Sequence, residues 1–180
     1  MPHAIELFLD EQSDRRVRQI WTALDEHGVP SLGSRPGADY HPHVSLSVLE
    51  HDDPARIADA LRPVLATATG LPLPLASLGF FLTDESVAFL GAIPSQRFLT
   101  LHRRVHEAVE PIAEDIRPYY RPDRLLPHCT LATGVTDRAA VLDVMSAFPL
   151  PILAVTESAQ LVEVPGGHHR IALTPPGPPR

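Results

Sequence analysis

A single cysteine, Cys129, in 180 residues excludes an internal disulfide and any zinc cluster built on thiolates, and it takes dithiol redox chemistry off the list of functions. No stretch of eighteen apolar residues occurs, so no membrane-spanning helix is expected. The opening MPHAIELFLD lacks the basic start and small-residue cleavage site of a secretory signal, which makes a soluble, cytoplasmic protein the expectation. Basic residues are in the minority, 15 Lys and Arg against 22 Asp and Glu, for a net charge of −7. Tight binding to a long polyanion draws on many Lys and Arg contacts to phosphates, so any nucleic-acid partner should be short or gripped locally.

What is present is an apolar fraction of 44%, enough for one well-packed domain, and ten histidines, the side chains that most readily exchange protons near neutral pH. Ile5, Leu7 and Leu9 alternate with Glu6 and Phe8 as in a strand, and Asp10 to His27 then switches to helical spacing through Val17, Ile20, Trp21 and Leu24. A loop leads to a second strand, His43 to Leu49, and Asp53-Pro54 opens a helix that Pro63 should kink or shorten. Leu71 to Phe81 and Ser86 to Ala92 read as a hairpin, followed by a helix capped by Ser95 and running toward Pro111. A strand at Leu125 to Ala132, a helix from about Thr136 to Phe148, and strands near Ile152 to Val164 and Arg170 to Leu173 complete the chain. The order β-α-β-α-β-β-α-β-α-β-β indicates an α+β protein with mixed, mainly antiparallel sheets. Residues 1–174 are expected to form one domain of two related lobes around a shared cleft, with a Pro-rich tail at 175–180.

The chemistry concentrates in two short segments. In HPHVSLSV, strand alternation puts His43, Ser45 and Ser47 on one face and Val44, Leu46 and Val48 on the other. In LPHCTLA the same rule groups His128 with Thr130 and turns Cys129 and Leu131 into the core. Each segment has Pro before its histidine, Pro42 and Pro127, and each hydroxyl residue is followed by Leu. Two imidazoles across a cleft suit in-line displacement at a phosphodiester: one takes a proton from the attacking oxygen and the other gives one to the leaving oxygen. The neighbouring hydroxyls would hydrogen-bond the non-bridging oxygens, and neither step calls for a metal.

Other candidates carry plainer readings. Tyr119, Tyr120, Arg121 and Arg124 lie just before the second segment and could stack on a base or touch a phosphate, though an ordinary solvated loop accounts for them equally well. His168 and His169 follow Gly166-Gly167 and fit an exposed turn. His41 and His43 form a His-x-His pair that resembles part of a metal site, but no second ligand cluster at suitable spacing accompanies it.

The two segments resemble the paired signature motifs of the two-histidine (2H) phosphoesterase superfamily, a His-x-Thr/Ser triplet plus an apolar residue occurring twice, here 85 positions apart. The likeness is strongest to the bacterial branch labelled 2′-5′ RNA ligase or cyclic phosphodiesterase. It implies a bilobal fold with pseudo-twofold symmetry, no metal or other cofactor, and action on 2′,3′-cyclic phosphates or 2′-5′ linkages. It also implies catalytic roles for His43 and His128 and phosphate-binding roles for Ser45 and Thr130, the first hydroxyl being Ser where Thr is commoner. A nucleotide or short RNA would be the partner, and a monomer the expected state. Two other functions compete: a nucleotide-binding module with little turnover, and a metal-dependent hydrolase using His41 and His43.

Overall fold

A computed structural model describes residues 1–50 and 53–175, so the expected tail lies outside the described residues apart from Pro175. β1 (His3–Leu9) passes through Asp10 into α1 (Glu11–Glu26). The Asp10 carboxylate accepts the Ser13 N–H at 3.1 Å and the Val155 N–H at 2.9 Å, so one side chain starts the helix and ties this corner to a segment far along the chain. α1 buries Val17, Ile20, Trp21 and Leu24, the stripe visible in the sequence.

β2 (His43–Glu50) precedes α2 (Pro54–Leu65), which Asp53 caps and which ends two residues after Pro63. β3 (Leu75–Phe81) and β4 (Val87–Ala92) form the hairpin. The strand expected from Leu71 begins only at Leu75, because Pro72 and Pro74 offer no N–H. The N–H groups of Leu71 and Leu73 go instead to Thr156 and Ala154.

α3 (Gln96–Val109) begins on Ser95, whose hydroxyl accepts the Phe98 N–H at 3.1 Å, and stops before Pro111. A two-residue strand, β5 (Asp115–Ile116), and a 3-10 turn at Pro118–Tyr120 follow; both are too short to show a period in the sequence. β6 (His128–Ala132) starts three residues later than expected, since the Arg124 and Leu125 N–H groups turn back to the Arg121 carbonyl. α4 (Arg138–Met145), β7 (Thr156–Glu163) and β8 (Arg170–Ala172) are likewise shorter than their sequence patterns.

The strands form two sheets, β5-β2-β1-β7-β8 and β3-β4-β6. The sheets are mainly antiparallel as expected, and every strand pair among the described residues is antiparallel. The halves of the chain are interleaved. The last two strands join β1 and β2 in the first sheet, while β3 and β4 pair with the much later β6. Two triplets therefore correspond, β7-β1-β2 and β3-β4-β6, each ending on a strand that opens with a histidine. The helices are exchanged too: α1 packs on β6 of the smaller sheet, and α3 packs on β2 of the larger. Among the described residues no helix is long and apolar enough to cross a membrane.

One element of register departs from simple alternation. Glu6 pairs with Ser45 and Ile5 with Ser47, so β2 carries an extra residue at Leu46. The bulge turns Ser47 away from the face of His43 and Ser45: it lies opposite the core residue Ile5, fully buried, and its hydroxyl has no hydrogen-bond partner.

Behind β2, α3 buries two histidines. His102 Nε2 lies 3.1 Å from the Leu46 carbonyl and 2.8 Å from that of Tyr120. His106, 4.7 Å from the His102 ring, has no hydrogen-bond partner for either nitrogen among the described residues. Burial lowers the proton affinity of both, and for His106 the neighbouring His102 adds to the effect. The unfolded chain takes up protons below the ordinary histidine value of about 6.5 and the folded chain does so only at lower pH. Stability is thus complete above that value and falls as pH drops through the window beneath it. Thermal denaturation should show the melting temperature falling between pH 7 and pH 5. His106→Leu, which removes an unpartnered buried polar group, should flatten that fall without loss of stability at pH 7.5. An unchanged pH slope in the variant would show that His106 is not one of the groups responsible.

Candidate active site

The two motif histidines are held the same way. His43 Nδ1 lies 2.7 Å from the carbonyl of His41, and His128 Nδ1 lies 2.7 Å from the carbonyl of Leu126. A carbonyl oxygen only accepts, so Nδ1 must carry the proton in each ring, and Nε2 is the nitrogen left to exchange one. Pro42 and Pro127 contribute directly. A residue before proline is held extended, which aims the His41 and Leu126 carbonyls back at the rings. The positive charge His43 bears when protonated acts on His128, whose proton affinity burial lowers first and His43 lowers further. Between the strands, Cys129 is fully buried beside the His43 backbone N–H, and burial pushes its thiol up to about 12.

The walls around the rings differ. Phe81 meets the His128 ring edge-on, with centroids 4.8 Å apart, and Phe89 lies 5.1 Å away. His43 has Phe8 at 6.2 Å and, on its exchanging side, Glu6, whose Oε1 is 3.4 Å from Nε2. Glu6 is buried, which raises its carboxyl against the opposing pull of His43 and Arg170. Arg170 lies over the Phe8 ring at 5.6 Å and hydrogen-bonds to the Gly167 carbonyl and to Asp39. From behind, Trp21 Nε1 donates to the Thr130 carbonyl at 3.2 Å, as His102 does to that of Leu46. One ring from each helix thus fixes the strand carrying each motif.

Of the loop residues singled out in the sequence, Tyr120 reaches the site. Its phenol lies beside the Ser45 hydroxyl, and burial raises its proton affinity. Tyr119 is 77% exposed, Arg121 pairs with Glu110 at 3.0 Å, and Arg124 is exposed. His168 and His169 are exposed, with His168 held by the Gly37 carbonyl.

His41 faces a different set of partners. Arg18 donates to its Nδ1 at 2.9 Å, and burial, Arg170 and Arg18 all lower its proton affinity. A ring nitrogen already taken by a guanidinium is a poor ligand for a cation. Among the described residues no group of three or more His, Cys, Asp or Glu side chains gathers as a metal site would require. A groove of about 580 Å³ lies along α1 and the segment Pro149 to Leu153 and includes neither motif histidine.

Sequence reasoning did not single out Glu6, Phe81, Phe89, Arg170 or His102. Glu6 alone left a signal, as the one charged residue inside an otherwise apolar strand.

Gly79 makes the aromatic wall possible: a Cβ there would overlap the Phe89 ring. Gly79→Ala should displace Phe89 and so remove its ring current from His128. The check is the His128 ring-proton shift by NMR, with far-UV circular dichroism to show that the fold persists. Up to about 10²-fold should be lost from any turnover that depends on the ring's position. An unmoved His128 signal would show that Phe89 tolerates the methyl group in place.

The comparisons with known proteins agree with this arrangement. The family model of the 2′-5′ RNA ligase superfamily matches residues 8–167. No curated protein sequence matches significantly. Among solved structures, one described as a phosphoesterase shares the fold with a TM-score of 0.60, at 18% identity over 96% of this chain and 98% of that one. Usb1 of Kluyveromyces marxianus with uridine monophosphate has a TM-score of 0.54, at 18% identity over 96% of this chain and 97% of that one. With a family match spanning both histidine motifs and the two-sheet fold that presents them, the chain belongs to the 2′-5′ RNA ligase superfamily of two-histidine phosphoesterases.

Proposed function

We propose that the protein is a phosphodiesterase that opens RNA-type 2′,3′-cyclic phosphates or cleaves 2′-5′ linkages, with RNA-end joining as the chemical reverse. The observation that carries this reading is the matched anchoring of His43 and His128, which commits both Nδ1 atoms and leaves two Nε2 atoms for proton transfer. One imidazole removes a proton from the attacking oxygen while the other protonates the leaving oxygen. Ser45 and Thr130, each on the strand face of its histidine, donate to the non-bridging phosphate oxygens as charge shifts in the transition state. No metal enters these steps, and Arg18 and Arg170 beside His41 weigh against the His41–His43 metal reading.

A nucleotide-sized substrate is supported by superfamily membership and by the uridine monophosphate held in the Usb1 structure. Tyr120, next to Ser45, is placed to meet a base or ribose. The net charge of −7 favours a nucleotide or short RNA over a long strand. We further propose that the protein works as a cytoplasmic monomer.

The test is a rate–pH profile on a 2′,3′-cyclic nucleotide, with and without chelator. The rate should rise and then fall with pH, the two limbs belonging to the histidine pair together, and should survive chelation. His43→Ala and His128→Ala should each cost about 10²- to 10⁴-fold, and Ser45→Ala or Thr130→Val about 10- to 10³-fold. Wild-type rates in both histidine variants would refute the mechanism. A histidine-dependent rate that vanished in chelator and returned with zinc or manganese would favour the metal reading.

A further inference from the structure

The two strand triplets set different residues opposite their motifs. In the larger sheet Phe8 pairs with His43 and Glu6 with Ser45; in the smaller sheet Gly91 pairs with His128 and Phe89 with Thr130. Paired residues on adjacent antiparallel strands project from the same face, so the place opposite the hydroxyl holds a carboxylate in one half and an aromatic ring in the other. We propose that Glu6 is a positioning residue that makes the two histidines unequal, holding His43 as the general acid and leaving His128 as the general base. This rests on the phosphodiesterase reading above and assigns within it the two roles that near-symmetric motifs leave open.

Proton count decides what Glu6 does to His43. His43 Nδ1 donates to the His41 carbonyl, so in a neutral ring Nε2 would turn a lone pair toward Glu6 Oε1 at 3.4 Å. A lone pair facing a carboxylate is repulsive. The contact becomes favourable when one further proton resides on the pair, either as imidazolium beside carboxylate or as imidazole beside carboxylic acid. Glu6 is 3% exposed, where an unpaired carboxylate would be costly, and burial raises its proton affinity.

The charged and titratable groups around the pair are Arg170 from β8, Tyr120 from the 3-10 turn, His41 before β2, and Cys129 and His128 from β6. Glu6 forms the one ion pair to His43 Nε2 among the described residues. Among the described residues no carboxylate pairs with His128: Phe81 and Phe89 flank its ring, and burial disfavours its charged form. A ring whose neutral form burial favours is available to accept a proton.

The step then balances. His128 Nε2 takes a proton from water as the water oxygen bonds to phosphorus. The bond from phosphorus to the ribose oxygen breaks, its electron pair staying on that oxygen, which receives the Nε2 proton of His43. The products are a phosphomonoester and a ribose hydroxyl. His128 returns its proton to solvent, and the Glu6–His43 pair takes one up.

The experiment compares two leaving groups. A ribose oxygen needs protonation as it departs, whereas 4-nitrophenolate leaves unaided. kcat and KM are measured for wild type, His43→Ala, His128→Ala and Glu6→Gln on a 2′,3′-cyclic nucleotide and on a 4-nitrophenyl nucleoside phosphodiester. The deficit of His43→Ala should shrink at least about tenfold on the aryl ester, while that of His128→Ala stays the same. Glu6→Gln, which keeps the shape and removes the charge, should lower kcat about tenfold on the cyclic nucleotide at little cost in KM. It should also move the alkaline limb of the pH profile to lower pH, because an acid without its carboxylate partner loses its proton sooner, and the aryl ester should largely rescue it.

Several results would overturn the assignment: the reversed pattern between the histidine variants, equal deficits on both substrates, or a Glu6→Gln profile that is unmoved or lowered uniformly at every pH. Rates that do not depend on either histidine would instead remove the underlying phosphodiesterase reading, and the role of Glu6 with it. Melting temperatures of the variants separate these outcomes from unfolding.

Discussion

β7 and β8 hydrogen-bond alongside β1 and not beside β6, and this exchange between the halves of the chain is the constraint on which the remaining architecture depends. A half folded alone would expose the side of its central strand that the other half covers. The helices repeat the exchange, with α1 lying against β6 and α3 against β2, so neither histidine strand acquires its backing until both halves are in place. The site therefore stands where the two sheets meet, and the packing that forms the core also sets the spacing of the motifs.

Within that frame the motifs are built alike and furnished differently. Proline and an upstream carbonyl fix the ring orientation in each, and an N–H from a buried ring on a helix pins each strand from behind. The differences lie in what surrounds the imidazoles. One neighbourhood is aromatic and lowers the affinity of its histidine for a proton; the other supplies a buried carboxylate, a cation over Phe8 and the Tyr120 phenol. Two positions of like geometry thus acquire unlike chemistry from side chains on neighbouring strands.

Much of this was legible in the sequence for local reasons. Strand alternation grouped each histidine with its hydroxyl, Asp53-Pro54 and Ser95 marked helix starts, and the stripe of α1 emerged with its members intact. Other features depend on the partner strand and were hidden. Ser47 alternates correctly with Ser45, yet a bulge opposite β1 sends it into the core. β5 is two residues long and exists because β2 has a free edge beside it. Glu6 appeared as one polar residue in an apolar strand, and nothing local could say that it would stand opposite Ser45 and beside His43 Nε2. The strands also ran shorter than their apolar patterns, because buried leucines near prolines satisfy the core without joining a ladder.

The burial of Cys129 has a consequence of a different kind. Peroxide and alkylating reagents attack the thiolate, and a thiol shifted up to about 12 in a fully enclosed position offers almost none of it near neutrality. The sulfur touches the strand that carries His43, where an added oxygen or a bulky adduct would push the two sheets apart at their junction. Native packing shields that seam from oxidative damage unless the sheets first separate.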